Sequence, residues 1–211
     1  MIIPPRFRFS HNHFKTKKFI LLDVGAGSHS PSLAKRVFPD CIYHGIDIGN
    51  YDNSANDMSL MDRYFEMDVT KLDFDEIPDY YYDLIILSHI IEHLHNGDKV
   101  IEGLAKKLKP GGFIYIEYPG EKSTRFPKMR GSLNFYDDPT HVRLYSLQEI
   151  EQLLTTAGFV TISKGLRRYW PYILLTPIKI AYNVMKRGYI PGSIFWDILG
   201  FAEYVYAKKN S

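Results

Sequence analysis

The chain has 211 residues with 26 Lys+Arg against 24 Asp+Glu, 45% hydrophobic residues and one cysteine. That length suits one globular domain, alone or with an insertion, and residues 1–211 are read as a single domain without internal repeat or low-complexity tract. A net charge of +2 argues against a nucleic-acid reader, which needs a strongly basic face. The lone Cys41 excludes an internal disulfide; it reads as a small buried apolar residue and fits a reducing, cytoplasmic location.

Residues 1–18 carry basic residues and histidines but lack the apolar core and cleavage site of a signal peptide. Ile20–Val24 is apolar and β-prone, the pattern of a strand buried on both faces. Asp23 closes that run, and Gly25 and Gly27 follow, allowing a sharp turn and close approach of backbone N–H groups to a ligand. Ile42–Asp47 predicts a second strand ending in a carboxylate about twenty residues on, the spacing that serves ribose hydroxyls in a strand–turn–helix–strand unit. Residues 64–69 predict a third strand with Asp68 near its end, and residues 83–87 a fourth that runs into Ser88-His89-Ile-Ile-Glu92-His93. A helix is expected next, stopping at Leu108-Lys-Pro-Gly-Gly112, with residues 113–118 as a fifth strand.

Residues 120–140 form a long connection, which inside a domain reads as a lid or acceptor-binding loop. Residues 160–165 and 202–208 predict a sixth and a seventh strand, separated by the apolar, aromatic stretch 168–200. The expected fold is therefore α/β, a doubly wound, seven-stranded, mostly parallel sheet with an apolar insertion between its last two strands. Between 161 and 196 the chain holds Lys164, Arg167, Arg168, Lys179, Lys186 and Arg187 and no acid. Pro171, Pro177 and Lys179 interrupt the run from 170 to 184, which is too short to span a bilayer. The segment reads as lid or core helices or a homodimer interface, as an apolar acceptor pocket, or as a shallow membrane contact with its cations toward anionic head groups.

The ordered series Asp23-Val-Gly25-Ala-Gly27, Asp47, Asp68, Ile91-Glu92-His93, Leu108-Lys-Pro-Gly-Gly112, Pro119 and Asp138-Pro-Thr-His141-Val-Arg143 resembles the class I, Rossmann-like S-adenosylmethionine-dependent methyltransferases. The resemblance covers roughly residues 18–165, with His29 standing where a third loop glycine is common. It implies S-adenosylmethionine as cofactor, with Gly25 and Gly27 beneath its methionyl and ribose parts and Asp23 near its amino group. It further implies Asp47 on the ribose hydroxyls, Ile48 against the adenine, Asp68 and the Val69 backbone on the adenine edge, and Leu87 and Ser88 beside the methionine. Residues 1–18 are too short for the helical cap that many such enzymes carry, so 120–140 and 168–200 are the expected cover.

Methyl transfer to a hydroxyl needs a base with a pKa near neutrality, usually His. His141 is the leading candidate, with His93 beside it and Arg143 as a possible acceptor contact, although a loop-bonding histidine and a plain salt bridge are the alternatives. His89-Ile-Ile-Glu92-His93 also spells an inverted zinc-protease motif, but the expected carboxylate ligand downstream is not evident. The primary reading assigns no metal ligands. By a further resemblance, to metal-dependent ribose and quinone O-methyltransferases, His89, Glu92, His93 and His141 could hold a divalent ion. The expected activity is methyl transfer to an oxygen of a small-molecule or glycan-like acceptor. The alternatives are a metal-dependent enzyme acting on RNA ribose or a quinol, and a non-catalytic S-adenosylmethionine-binding protein. A nicotinamide dehydrogenase is disfavoured because Ser30 stands at the third position of the Gly-x-Gly-x-x-Gly pattern.

Overall fold

A computed structural model of the chain describes residues 2–211; Met1, part of the 1–18 segment, lies outside them. Seven strands form one sheet in the order β3-β2-β1-β4-β5-β7-β6. They are β1 (Ile20–Val24), β2 (Ile42–Asp47), β3 (Arg63–Glu66), β4 (Tyr82–Ser88), β5 (Leu108–Pro119), β6 (Phe159–Leu166) and β7 (Ala202–Lys209). The first five are parallel, while β7 runs antiparallel to both β5 and β6. The strand order therefore reverses between β1 and β4, and the crevice at that switch point is where open α/β sheets bind ligands.

Side chains alternate between two cores because successive residues of a strand point to opposite faces. Leu22, Val24, Ile85, Leu87, Ile114 and Ile116 face one core, which takes in α4 (Gly97–Lys107) and α5 (Leu147–Thr156). Leu21, Tyr43, Leu84, Ile86 and Tyr115 face the other, under α2 (Ser30–Val37). On that second face α1 (Arg8–Phe14) lays Phe9 against Tyr204 and Tyr206, with ring centroids 4.9 and 5.5 Å apart. Each such aromatic pair adds about 0.5–1.5 kcal/mol beyond area burial. The amino-terminal segment thus works as a core element on the sheet.

Several boundaries differ from those read in the sequence. β3 ends at Glu66, and Asp68 instead caps a short 3-10 turn, Val69–Lys71, through its carboxylate. The chain after β4 makes a 3-10 turn at Ile91–His93, and α4 begins only at Gly97. Leu108–Gly112 is drawn into β5, because Leu108 pairs with Tyr82 of β4. Residues 120–140 are not structureless: they hold 3-10 turns at Glu121–Arg125 and Phe135–Asp137. One Asp137 oxygen accepts the backbone N–H groups of Met129, Leu133 and Asn134 at 3.1, 2.9 and 2.8 Å, folding the loop back on itself.

Between β6 and β7 the chain forms α6 (Trp170–Leu174), α7 (Thr176–Arg187) and α8 (Trp196–Leu199), α6 and α7 joined by one turn residue, Leu175. A buried ionic network fixes this segment to the sheet. Arg167 donates to Glu117 of β5 at 2.9 Å and to Asp197 of α8 at 3.0 Å, and Asp197 also accepts the Tyr169 N–H at 3.0 Å. His89, just past β4, places Nε2 3.0 Å from Glu117 and Nδ1 3.2 Å from Glu92, with its ring against Trp196. Burial alone would raise the Glu117 carboxyl, but Arg167 and His89 overcome it and hold the group well below its ordinary value near 4.5. Burial likewise opposes a charged His89, yet Glu117 and Glu92 lift its pKa to about 9. The segment is also stitched to the 120–140 loop, where Gly192 and Ser193 donate to the carbonyls of Arg130 and Gly131, each at 2.9 Å.

Removing one partner from such a network leaves a buried charge uncompensated. Arg167→Met is expected to lower unfolding free energy by about 3–5 kcal/mol in denaturant titration, with part recovered by adding Glu117→Gln. Because the Glu117 pKa is depressed on folding, its contribution is present above about pH 4.5 and lost as pH falls. Thermal unfolding should accordingly drop more steeply below pH 4.5 in the wild type than in Glu117→Gln.

Candidate active site

The turn after β1 is shaped by two glycines for different reasons. Gly25 has φ +81° and passes so close to Ile90 that a Cβ would sit 2.0 Å from that side chain. At Gly27 a Cβ would meet the Tyr51 carbonyl at 2.7 Å. His29, in the place of a third glycine, adopts the left-handed conformation at φ +58°. Asn53 accepts its backbone N–H at 3.0 Å and Asp57 engages its Nδ1 at 2.6 Å, so local hydrogen bonds offset the strain of a side chain there.

Asp23 is fully buried: one carboxylate oxygen accepts the Tyr43 hydroxyl at 2.8 Å and the Ser30 hydroxyl, and the other has no partner. Burial pushes its pKa up. Asp47 ends β2 and accepts the Ile48 N–H at 2.8 Å on one oxygen, while burial raises its pKa too. Beside it Ile48 is 76% exposed, an uncovered apolar side chain at the sheet's carboxyl edge. Asp68 accepts from the Thr70 hydroxyl at 2.6 Å and the Thr70 N–H at 3.0 Å, which hold its carboxyl below the usual range; Val69 next to it is buried. Leu87 is fully buried and Ser88, at the end of β4, is partly exposed.

These residues fit S-adenosylmethionine, the cofactor the resemblance implies. The unpartnered Asp23 oxygen suits an ammonium or a water held by one, and Ile48 offers a bare apolar platform. Tyr51, 70% exposed and packed against Gly27, joins this edge and was not foreseen; only its place a few residues after Asp47 signals it.

On the other side of the switch point, His93, Glu92 and His141 come together. His141 Nδ1 lies 2.6 Å from the Phe135 carbonyl oxygen. His93 Nδ1 lies 2.9 Å from the Thr140 hydroxyl and 3.3 Å from the Thr140 carbonyl. A carbonyl can only accept, so Nδ1 of His141 carries the proton and the lone pair of the neutral ring sits on Nε2. The two rings are 4.8 Å apart between centroids, and ligand atoms of Glu92, His93 and His141 lie within 4.8 Å of one another. Glu92 is 1% exposed, and its Oε2 has no partner. The Glu92 carbonyl accepts the N–H groups of Val142 and Arg143 at 2.9 and 3.1 Å, which holds the two loops in register.

His89 does not join this trio; its two nitrogens face Glu92 Oε1 and Glu117. Arg143 is likewise drawn elsewhere, donating to Asp98 at 3.2 Å and Glu149 at 2.7 Å, so it ties α4 to α5. Glu117, Arg167 and Asp197 were missed in the sequence. The signal was a single carboxylate in the apolar β5 run and a single acid, Asp197, after a long acid-free stretch.

Comparison with known proteins bears on the family and the fold. A probable S-adenosylmethionine-dependent methyltransferase of Mycobacterium tuberculosis is 26% identical over 125 residues, 58% of this chain and 43% of that protein. A similarly described protein of Mycolicibacterium smegmatis is 30% identical over 99 residues, 46% of this chain and 37% of its own length. The chain thus spans less than half the length of these curated relatives. Among solved structures, an S-adenosylmethionine-dependent methyltransferase from Archaeoglobus fulgidus superposes with a TM-score of 0.63 at 19% identity, covering 97% of this chain and 91% of that one. A Haloferax volcanii methyltransferase complex with the activator Trm112 gives 0.67 at 14% identity, covering 98% and 90%. The profile described as "Methyltransferase domain" matches residues 6–164, about three-quarters of the sequence, and the chain belongs to that family.

Proposed function

We propose that this protein is an S-adenosylmethionine-dependent methyltransferase acting on an oxygen of a small-molecule or glycan-like acceptor. The observation that supports the acceptor chemistry is the His93–His141 pair, with each Nδ1 held by Thr140 or Phe135 and Nε2 of His141 3.9 Å from the Asp138 carboxylate. The cofactor supplies a methyl group that is already a strong electrophile. Asp47 would accept the ribose hydroxyls with Ile48 against the adenine. Asp68 and the Val69 backbone would read the adenine edge. Gly25 and Gly27 would pass beneath the methionyl part, with Asp23 near its amino group and Leu87 and Ser88 along its side.

What remains for the protein is to align the acceptor, exclude water and take one proton. The 120–140 loop and the 168–200 segment bound the acceptor side, and Nε2 of His141, or of His93 beside it, takes the proton of the acceptor hydroxyl. Arg143 is left out of this chemistry because two carboxylates already engage it. A cytoplasmic setting belongs to the reading, supported by the single thiol Cys41, whose burial pushes its pKa up to about 11 and leaves it unreactive. The outer face of 168–200 belongs to it as a contact surface toward a membrane or a second copy.

One observation favours a second reading. The buried, unpartnered Glu92 Oε2 beside two imidazoles, each with Nδ1 held by an oxygen partner, is a donor set suited to a divalent ion. An ion there would lower the pKa of a bound hydroxyl without a protein base.

Asp47→Ala is expected to weaken S-adenosylhomocysteine binding by about 1.5–3 kcal/mol in calorimetry, the scale of hydrogen bonds to a charged group, with the fold intact. Unchanged affinity would remove Asp47 from the cofactor site. For the acceptor, labelled S-adenosylmethionine incubated with sugars, quinols, lipids, RNA and proteins should label an oxygen of a small acceptor. Labelling of a protein or base nitrogen would overturn the reading. His141→Ala should lower kcat about 10²–10⁴-fold, the range for loss of a general base. Activity lost to a chelator, restored by divalent metal and abolished equally by His93→Ala and His141→Ala would select the metal-dependent reading.

A further inference from the structure

The outer face of α6 and α7 is apolar along its whole length. Trp170, Leu174, Ile178, Tyr182 and Met185 recur at spacings of four, four, four and three, and are 69, 74, 66, 51 and 80% exposed. Val184, Pro177 and Ala181 fall on the same side and are also exposed. At ~100° per residue these eight positions cover an arc of about 160°. Tyr172, Thr176, Ile180 and Asn183 occupy the opposite side and are buried or half-buried. The helices therefore turn one apolar face inward and leave a broader one uncovered.

The charge around that arc has one sign. From 152 to 196 the chain carries Lys164, Arg167, Arg168, Lys179, Lys186 and Arg187 and no Asp or Glu. Arg167 is consumed by Glu117 and Asp197, while Arg168, Lys186 and Arg187 are exposed. Lys179 and Lys186 fall at one margin of the arc and Arg187 near the other. Lys179 lies 3.9 Å over the inward Tyr172 ring, and Lys186 lies 5.5 Å from the ring of Tyr182 at the margin of the crest. The rim continues into the 120–140 loop, where Arg130 packs 4.0 Å over Tyr189 and Lys128 is exposed.

We propose that the α6–α7 face docks this protein on the surface of an anionic lipid bilayer, with Trp170, Leu174, Ile178, Tyr182 and Met185 in the head-group boundary and the flanking cations on lipid phosphates. A convex apolar crest with cationic flanks suits a fluid interface that can close around it. A second copy would bring the same cations to the same contact, so charge complementarity selects the anionic surface over self-association. Among the described residues no helix is long and apolar enough to cross a membrane, so the contact is peripheral. The network through Arg167 and the backbone bonds to Arg130 and Gly131 would place this surface beside the acceptor side of the cleft. The inference holds whichever acceptor the site takes.

The test is sedimentation of the full chain with vesicles of phosphatidylcholine alone or with about one-third phosphatidylglycerol, at low and high salt. The protein should bind the anionic vesicles, lose that binding at high salt, and show a blue-shifted Trp170 emission that is absent in Trp170→Phe. Lys186→Glu with Arg187→Glu should weaken partitioning about 30-fold, taking about fivefold for each cation at an anionic surface. Leu174→Ser with Met185→Ser should weaken it by about tenfold or more. All four side chains are exposed, so circular dichroism and S-adenosylhomocysteine affinity should stay at wild-type values, which separates failure of docking from failure of the cofactor site. Absence of binding, or equal binding to neutral vesicles unaffected by the charge reversals, would overturn the proposal. So would a dimer in sedimentation equilibrium that Leu174→Ser with Met185→Ser dissociates while vesicles stay unbound.

Discussion

Glu117 is the residue on which the functional end of this molecule depends. It is a carboxylate inside a strand that is otherwise apolar, buried on the face it shares with Tyr115. A charge in that position is tolerable only when it is paired, and Arg167 and His89 pair it. Those partners come from the end of β6 and the end of β4, and Arg167 carries the connection on to Asp197 in α8. One buried anion therefore fastens two strand ends, the loop after β4 and the segment between β6 and β7 at a single point. A hydrophobic contact would have held the same elements with less directional definition, because dispersion and burial are insensitive to angle whereas a charge-assisted hydrogen bond is not.

The consequence reaches the cleft. Trp196 packs against both His89 and Phe201, so α8 is set against the end of β4 by aromatic contact as well as by charge. Glu92 faces His89 through Oε1 and also has a carboxylate oxygen within 4.8 Å of ligand atoms of His93 and His141. The network and the histidine pair are thus neighbours that share Glu92. The histidine pair is in this sense tied back to β5, while Asp23 and the glycine turn belong to the end of β1.

The two long connections also depend on each other. The loop from 120 to 140 folds around Asp137 and Asn134, and its backbone at Arg130 and Gly131 accepts from Gly192 and Ser193 of the later segment. Neither is a free lid. The two segments are joined to each other through backbone hydrogen bonds, and the apolar crest of α6 and α7 lies on their exposed side.

The strands of the sheet and the turn after β1 were legible in the residues alone. Ile20–Val24 and Ile42–Asp47 form the strands expected from their residues, because a run buried on both faces leaves little choice of period or register. The glycine turn and the strand-end carboxylate Asp47 were legible because each is set by local backbone geometry. The ends of β3 and α4 were not, since caps such as Asp68 on Thr70 and pairings such as Leu108 on Tyr82 decide them. Only the tertiary structure decided the partners of long polar side chains. Arg143 went to Asp98 and Glu149 rather than to the cleft, and His89 to Glu117 rather than to His93. His89 and Glu117 stand 28 residues apart and Arg143 and Asp98 stand 45 apart, a separation that no local pattern encodes. The same holds for the crest of α6 and α7: its spacing was present in the sequence, but which side would be left uncovered was fixed only when Tyr172, Thr176 and Ile180 turned inward.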